Sequence, residues 1–128
     1  MSILGYRRST FFLSLVCVAL VVLSVSLFLG YVQLKLRLMF ATEQVHIFEE
    51  MRSRAVQASP SDAAGYLEYV VKYYPSATKQ VPGSALDWMV EQARASAVRE
   101  IIAYLRSKTD EDLGSSAEPW IQKYATRR

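Results

Sequence analysis

The residues best suited to chemistry are one histidine and a run of three carboxylates. His46 is the only histidine in the chain, and Asp110, Glu111 and Asp112 are consecutive near the C-terminus. Carboxylates on a loop suit a hard cation such as Ca²⁺, but the ligand spacing of an EF-hand is missing here. We therefore interpret His46 as a surface or seam residue of a helix, and the acidic run as a solvated helix terminus.

Motifs for nucleotide binding and covalent catalysis are missing from the sequence. The five glycines are scattered, so neither a Walker A loop nor a dinucleotide fingerprint occurs. No nucleophile-elbow motif is present, and a metal site would need several ligands converging with His46. Cys17, the only cysteine, lies in an apolar N-terminal segment and leaves the rest of the chain without a thiol. The sequence predicts no cofactor, no metal and no enzymatic activity.

The charge of the chain is unevenly distributed. The formal net charge is +3, yet four of the fifteen basic residues and none of the twelve acidic ones precede Ala41. Eleven basic residues then face twelve acidic ones in the remainder, which is nearly neutral and has no basic stripe. This distribution argues against nucleic acid as a partner.

The strongest signal is an uncharged stretch from Ser9 to Leu34, with an apolar core at Phe11–Tyr31. A bilayer core of about 30 Å needs about 20 such residues, so we predict a short tail (residues 1–10) and a transmembrane helix (residues 11–34). A cleavable signal peptide is the alternative. We favour an uncleaved anchor because secretory apolar regions run to about 15 residues and end at a small-x-small site.

Arg7 and Arg8 precede the apolar run, and Lys35 and Arg37 follow it. Positive residues near membrane ends prefer the cytoplasm. Together with the short tail, this favours a single-pass protein with a cytoplasmic N-terminus.

The predicted helix continues past the bilayer as a juxtamembrane helix (residues 35–57). Its apolar positions follow alternating steps of four and three, with Arg52 filling the one gap: Leu34, Leu38, Ala41, Val45, Phe48 and Ala55. This seam predicts either self-association or packing on the domain's own helices.

Residues 58–128 are predicted to form a small helical domain. Ser59 with Asp62 and Ser84 with Asp87 are capping boxes that begin two amphipathic helices, and Pro119 suits the first turn of a short last helix. No segment shows convincing strand alternation. The predicted fold class is all-α, in which a single N-terminal transmembrane helix continues into a bundle of about three further helices.

Aromatic residues are the most suggestive candidates for binding a partner. Tyrosine and tryptophan are favoured where one end of a side chain is apolar and the other wet, and they are enriched at binding hot spots. Tyr69 lies off the main apolar stripe of its helix and is the best candidate for an exposed contact. The full candidate set is Tyr69, Tyr73, Tyr74 and Trp120. Trp120 is alternatively interpreted as a plug at the end of the bundle.

The stretch REIIAYLRSKTDEDLGSSAEPWIQKY, Arg99–Tyr124, carries a resemblance. It resembles R-x-IIAYLR-x-KTGEDLG-x-x-P-x-x-WI-x-KY, a C-terminal pattern of uncharacterised bacterial proteins. Asp110 stands where that pattern has glycine, and Pro119 is shifted. The resemblance covers about a fifth of the chain and implies a recurring bacterial helical module, hence a bacterial inner membrane, but no chemistry.

Two functions compete. The first is a membrane-anchored, non-enzymatic helical module that contacts the lipid bilayer and binds a protein partner or a second copy of itself. The second is a membrane-tethered sensory or small-ligand-binding domain, which would need a concave pocket lined by the tyrosines.

Overall fold

The computed structural model of the chain describes residues 3–73 and 80–125, with side chains from Thr10 onward. The described residues form four helices and no strand, which confirms the predicted all-α fold. The helices are α1 (Ile3–Ala55), α2 (Pro60–Lys72), α3 (Ala85–Thr109) and α4 (Ala117–Tyr124). The chain divides into an apolar unit, which ends at Leu36, and a C-terminal unit, which begins at Arg37.

The apolar unit consists of the first part of α1. Every side chain from Thr10 to Phe40 is exposed, including the large hydrophobic ones. Among the described helices, this is the one that is long and apolar enough to cross a membrane. Its length and composition are those of a candidate membrane-spanning segment.

The second part of α1 belongs to the C-terminal unit. The predicted juxtamembrane helix, residues 35–57, therefore does not stand apart from the predicted domain, residues 58–128. Ala41, Phe48 and Ala55 of the heptad-like seam are buried, whereas Leu34 and Leu38 are more than half exposed. From Ala41 onward, the seam thus packs in the core of its own unit.

The two predicted capping boxes begin α2 and α3. The hydroxyl oxygens of Ser59 and Ser84 each accept a hydrogen bond, at 3.2 Å, from the backbone N–H of Asp62 and Asp87 respectively. These bonds satisfy N–H groups that a helix start otherwise leaves without a partner. Ser116, which precedes α4, makes no such side-chain bond. Residues 74–79, in the predicted connection between α2 and α3, lie outside the described residues.

The hydrophobic core of the C-terminal unit takes side chains from all four helices. Alanines permit close helix contacts, and a few larger side chains fill the space between them. The largest fully buried ones are Trp120, Phe48, Leu67, Ile101, Leu105 and Val70. Fully burying one such side chain contributes roughly 1.5–3 kcal/mol, so the second part of α1 adds substantially to a small core through Phe48.

Polar contacts join α1 to the later elements at three levels. Arg52 forms ion pairs with Glu49 and with Glu100 of α3. The Tyr104 hydroxyl donates a hydrogen bond to the Ala58 carbonyl at 2.6 Å. The side-chain amide of Gln80 donates to the Arg37 carbonyl at 3.3 Å and to Gln44 at 3.4 Å. The segment before α3 therefore lies near Arg37, and Tyr104, toward the end of α3, lies near Ala58.

Removing the Tyr104 hydroxyl tests its contact with the Ala58 carbonyl. We expect Tyr104→Phe to lower the free energy of unfolding by about 0.5–1.5 kcal/mol, because a partly buried hydrogen bond to a backbone carbonyl is lost. Urea denaturation of the full chain in a mild detergent, followed by tryptophan fluorescence, measures the change. Tyr66→Phe is the matched control, and an equal loss in both variants would contradict the assignment.

Candidate partner-binding groove

An open groove runs between α2 and α4, with the second part of α1 at its floor. Its volume is about 1340 Å³. Because side chains three or four residues apart share a face of a helix, the buried residues of α2 lie on one face and its groove-lining residues lie on the adjacent face. The lining residues are Met51, Ser61, Asp62, Gly65, Tyr66, Glu68, Tyr69, Lys72, Glu118, Ile121, Gln122 and Ala125.

The groove combines an apolar surface with negative charge. Met51, Ile121 and the rings of Tyr66 and Tyr69 supply the apolar surface. Three carboxylates, those of Asp62, Glu68 and Glu118, face one ammonium group, that of Lys72.

Lys72 is paired with Glu68, and the hydrogen bond between them raises the pKa of Lys72. Gln122 donates a hydrogen bond to Glu118 at 2.9 Å. With its one cation paired, the groove keeps a net negative charge that attracts a cationic ligand.

Tyr69 and Tyr73 stack at the end of α2, with ring centroids 4.5 Å apart. Both rings are 40% exposed. Partial burial, followed by a hydrogen bond shared with Tyr73, raises the pKa of the Tyr69 phenol. Two of the four sequence-predicted contacts thus form one semi-exposed aromatic surface beside the groove. Tyr74 lies outside the described residues.

Trp120 is not a surface contact. Its side chain is fully buried, and its indole N–H donates a hydrogen bond to the Gly114 carbonyl at 3.0 Å. The structure therefore removes Trp120 from the partner-binding candidates and supports the alternative interpretation, a plug that closes the bundle. The adjacent Ile121 lines the groove while remaining mostly buried.

The acidic run after α3 is used in structural contacts. Glu111 accepts hydrogen bonds from Lys123 at 2.7 Å and from the Tyr124 hydroxyl. These bonds, first the one from Lys123, lower the pKa of Glu111. Glu111 and Lys123 are twelve residues apart, and α4 brings Lys123 back to the turn in a way that spacing alone does not show.

Asp112 organises the same turn. It accepts hydrogen bonds from the Gly114 backbone N–H at 2.9 Å and from Arg106 at 2.8 Å. The backbone bond, followed by the bond from Arg106, lowers the pKa of Asp112. Within the described part of the chain, no group of three or more histidine, cysteine or acidic side chains is arranged to hold a metal ion. His46 is exposed on α1.

Acid should destabilise the C-terminal unit through these carboxylates. The pKa values of Glu100, Glu111 and Asp112 are lowered on folding, and Arg52 is the main cause for Glu100. A carboxyl group with a lowered folded-state pKa stabilises the fold above its unfolded-state pKa, about 4, and loses that contribution as the pH falls further.

We therefore expect the urea midpoint of the full chain to fall as the pH drops from about 5 through the ordinary carboxyl range near 4. Glu111→Gln should flatten that pH dependence, whereas Glu43→Gln, which alters an exposed carboxylate of α1, should not. Identical pH profiles for wild type and Glu111→Gln would contradict the assignment.

A second prediction concerns Asp110. It ends α3 with φ of 53°, a left-handed conformation that glycine adopts most readily. We expect Asp110→Gly to raise the free energy of unfolding by about 0.5–1 kcal/mol, measured by urea denaturation. Ala103→Gly, in the exposed interior of the same helix, should lower it by about 1 kcal/mol. Destabilisation by both variants would show that the left-handed strain is negligible.

No family model, no curated protein and no solved structure matches this chain. The resemblance of Arg99–Tyr124 to bacterial proteins stays a prediction.

Proposed function

We propose that the protein is a membrane-anchored, non-enzymatic interaction module in which α1 is the anchor and the groove is the binding site. The first part of α1 supports the anchor because it is long and apolar, and because its side chains are exposed from Thr10 onward. Near its end, the Lys35 ammonium lies 5.4 Å from the centre of the Tyr31 ring. An aromatic ring with an adjacent cation is typical of the membrane–water interface.

The proposed orientation has the N-terminus in the cytoplasm of a bacterium and the C-terminal unit outside the inner membrane. Arg7 and Arg8 support it because they form a basic cluster ahead of the apolar run. The bacterial origin depends on the resemblance of Arg99–Tyr124 to bacterial proteins.

The groove is the proposed binding site for a protein partner. Its length along α2 and α4, its apolar floor at Met51 and Ile121, and its unbalanced carboxylates fit an amphipathic helix that presents basic residues. The apolar face of such a helix would cover the groove floor. Its lysines or arginines would approach Asp62, Glu68 and Glu118.

A small-ligand or sensory domain is the second candidate. The observation that favours it is the presence of Tyr66 and Tyr69 in the wall of a concave site. However, small-molecule pockets usually enclose about 300–1,000 Å³. The groove is larger, at about 1340 Å³, and open to solvent, which suits a peptide segment better.

Site-specific photocrosslinking in the native membrane tests the proposal. Photoreactive benzoylphenylalanine replaces Tyr69 beside the groove in the full chain, and it replaces Ala103 on exposed α3 as the control. We expect a crosslink from position 69, but not from position 103, to a basic amphipathic segment of another protein. Glu118→Gln should then weaken binding of a synthetic peptide of that segment about two- to fivefold, as for an exposed ion pair.

Glu43→Gln, which alters an exposed carboxylate outside the groove, should leave peptide binding unchanged. Crosslinks from both positions to the same products would reflect random collision and contradict a specific groove. A crosslink to an acidic segment, or equal effects of the two charge variants, would contradict the proposed partner chemistry. If position 69 gives no crosslink to any protein, the small-ligand function becomes the better candidate.

A further inference from the structure

Exposed apolar side chains in the C-terminal unit are concentrated at one end. The most exposed ones, at 46% to 65%, are Leu38, Met39, Val81, Trp88 and Met89, whereas Phe40, Val56, Tyr69 and Tyr73 are 38% to 40% exposed. From Val90 to Ala125, by contrast, no large hydrophobic side chain reaches comparable exposure. Such a concentration is not expected of a surface that contacts only water.

The end in question is the one at which the chain enters the unit. The Gln80 side chain is bonded to the Arg37 carbonyl and to Gln44, so the segment before α3 is fixed near the first residues of the unit. The backbone N–H of Ser84 donates to the Val81 carbonyl at 3.0 Å, a turn that leads directly into α3. The opposite end is marked by Tyr104, whose hydroxyl reaches Ala58.

The arrangement of these side chains fits a flat apolar boundary better than a protein groove. Trp88 and Met89 are consecutive in a helix, so they point in directions roughly 100° apart. They lie at nearly the same position along the axis of α3, near its start, but on different sides of the helix. A bilayer surface contacts all residues at one level, whereas a partner helix needs a continuous stripe along one face.

The neighbouring residues suit lipid headgroups. Arg37 is the first residue of the unit, and Lys35 lies two positions before it. Cations at this level attract anionic phosphates. The Trp88 side chain is 65% exposed, and tryptophan is favoured where an apolar ring and a polar N–H meet the membrane interface.

We propose that Val81, Trp88 and Met89, together with Leu38, form a second membrane contact that inserts into the interface of the bilayer in which α1 is anchored. This inference rests on the proposed anchoring of α1. It does not depend on the groove or on its partner. The contact holds the C-terminal unit against the lipid surface at the start of α3.

Quenching of tryptophan fluorescence by brominated lipid tests the contact. The full chain is reconstituted in vesicles of phosphatidylcholine and phosphatidylglycerol, in which the phosphatidylcholine carries bromine on its acyl chains. Trp120 is buried in every sample, so the difference between wild type and Trp88→Phe reports Trp88. We expect brominated lipid to remove most of the Trp88 emission and to leave the emission of Trp88→Phe nearly unchanged.

A positional control separates this contact from collapse of the whole unit onto the lipid. Trp88→Phe combined with Ala103→Trp moves the exposed indole about 22 Å along α3, and that indole should not be quenched. Equal quenching at both positions would overturn the proposal. Trp88 emission that brominated lipid leaves unchanged would also overturn the proposal. If that emission were in addition shielded from aqueous acrylamide, a protein would cover Trp88 in place of lipid.

Flotation of the same vesicles distinguishes the two proposals. If the protein floats with the vesicles but Trp88 is not quenched, the anchor is supported and only the second contact is overturned. Protein that does not float with the vesicles overturns both the anchor and the contact that rests on it.

Discussion

Burial of Phe48 in the core of the C-terminal unit is the contact on which the rest of the structure depends. Phe48 belongs to the same helix as the apolar unit, so the core is completed by a continuation of that helix. A domain of about 90 residues has little apolar surface to spare for its core. Arg52 follows Phe48 on the same helix, so burial of Phe48 also fixes the position of Arg52. The ion pair between Arg52 and Glu100 then fixes where α3 lies along α1.

Arg52 shows why one position of the apolar seam is charged. Its guanidinium donates hydrogen bonds to Glu49 on its own helix and to Glu100 on α3, and these two bonds, first the one to Glu100, raise the pKa of Arg52. Both carboxylates are substantially exposed, so the pairs contribute little to stability. Their more important effect is on register, because a shift of α3 by one turn would move Glu100 about 5.4 Å from its partner.

The helices could be predicted from the sequence, but the groove could not. Periodicity and capping chemistry are local, and Ser59 and Ser84 cap the helices that they were expected to begin. The same local signal placed Tyr69 off the buried stripe of its helix, and that ring is 40% exposed. The groove joins Met51, Tyr66 and Ile121 from three helices, so it depends on how the helices pack. The burial of Trp120 likewise depends on the Gly114 carbonyl, which no spacing rule identifies.

Side chains of the segment Arg99–Tyr124 make contacts that stabilise the fold. Arg106 binds Asp112, Lys123 and Tyr124 bind Glu111, and Trp120 fills the end of the core. These side chains hold α4 against the turn that follows α3, and α4 in turn supplies Glu118 and Ile121 to the groove.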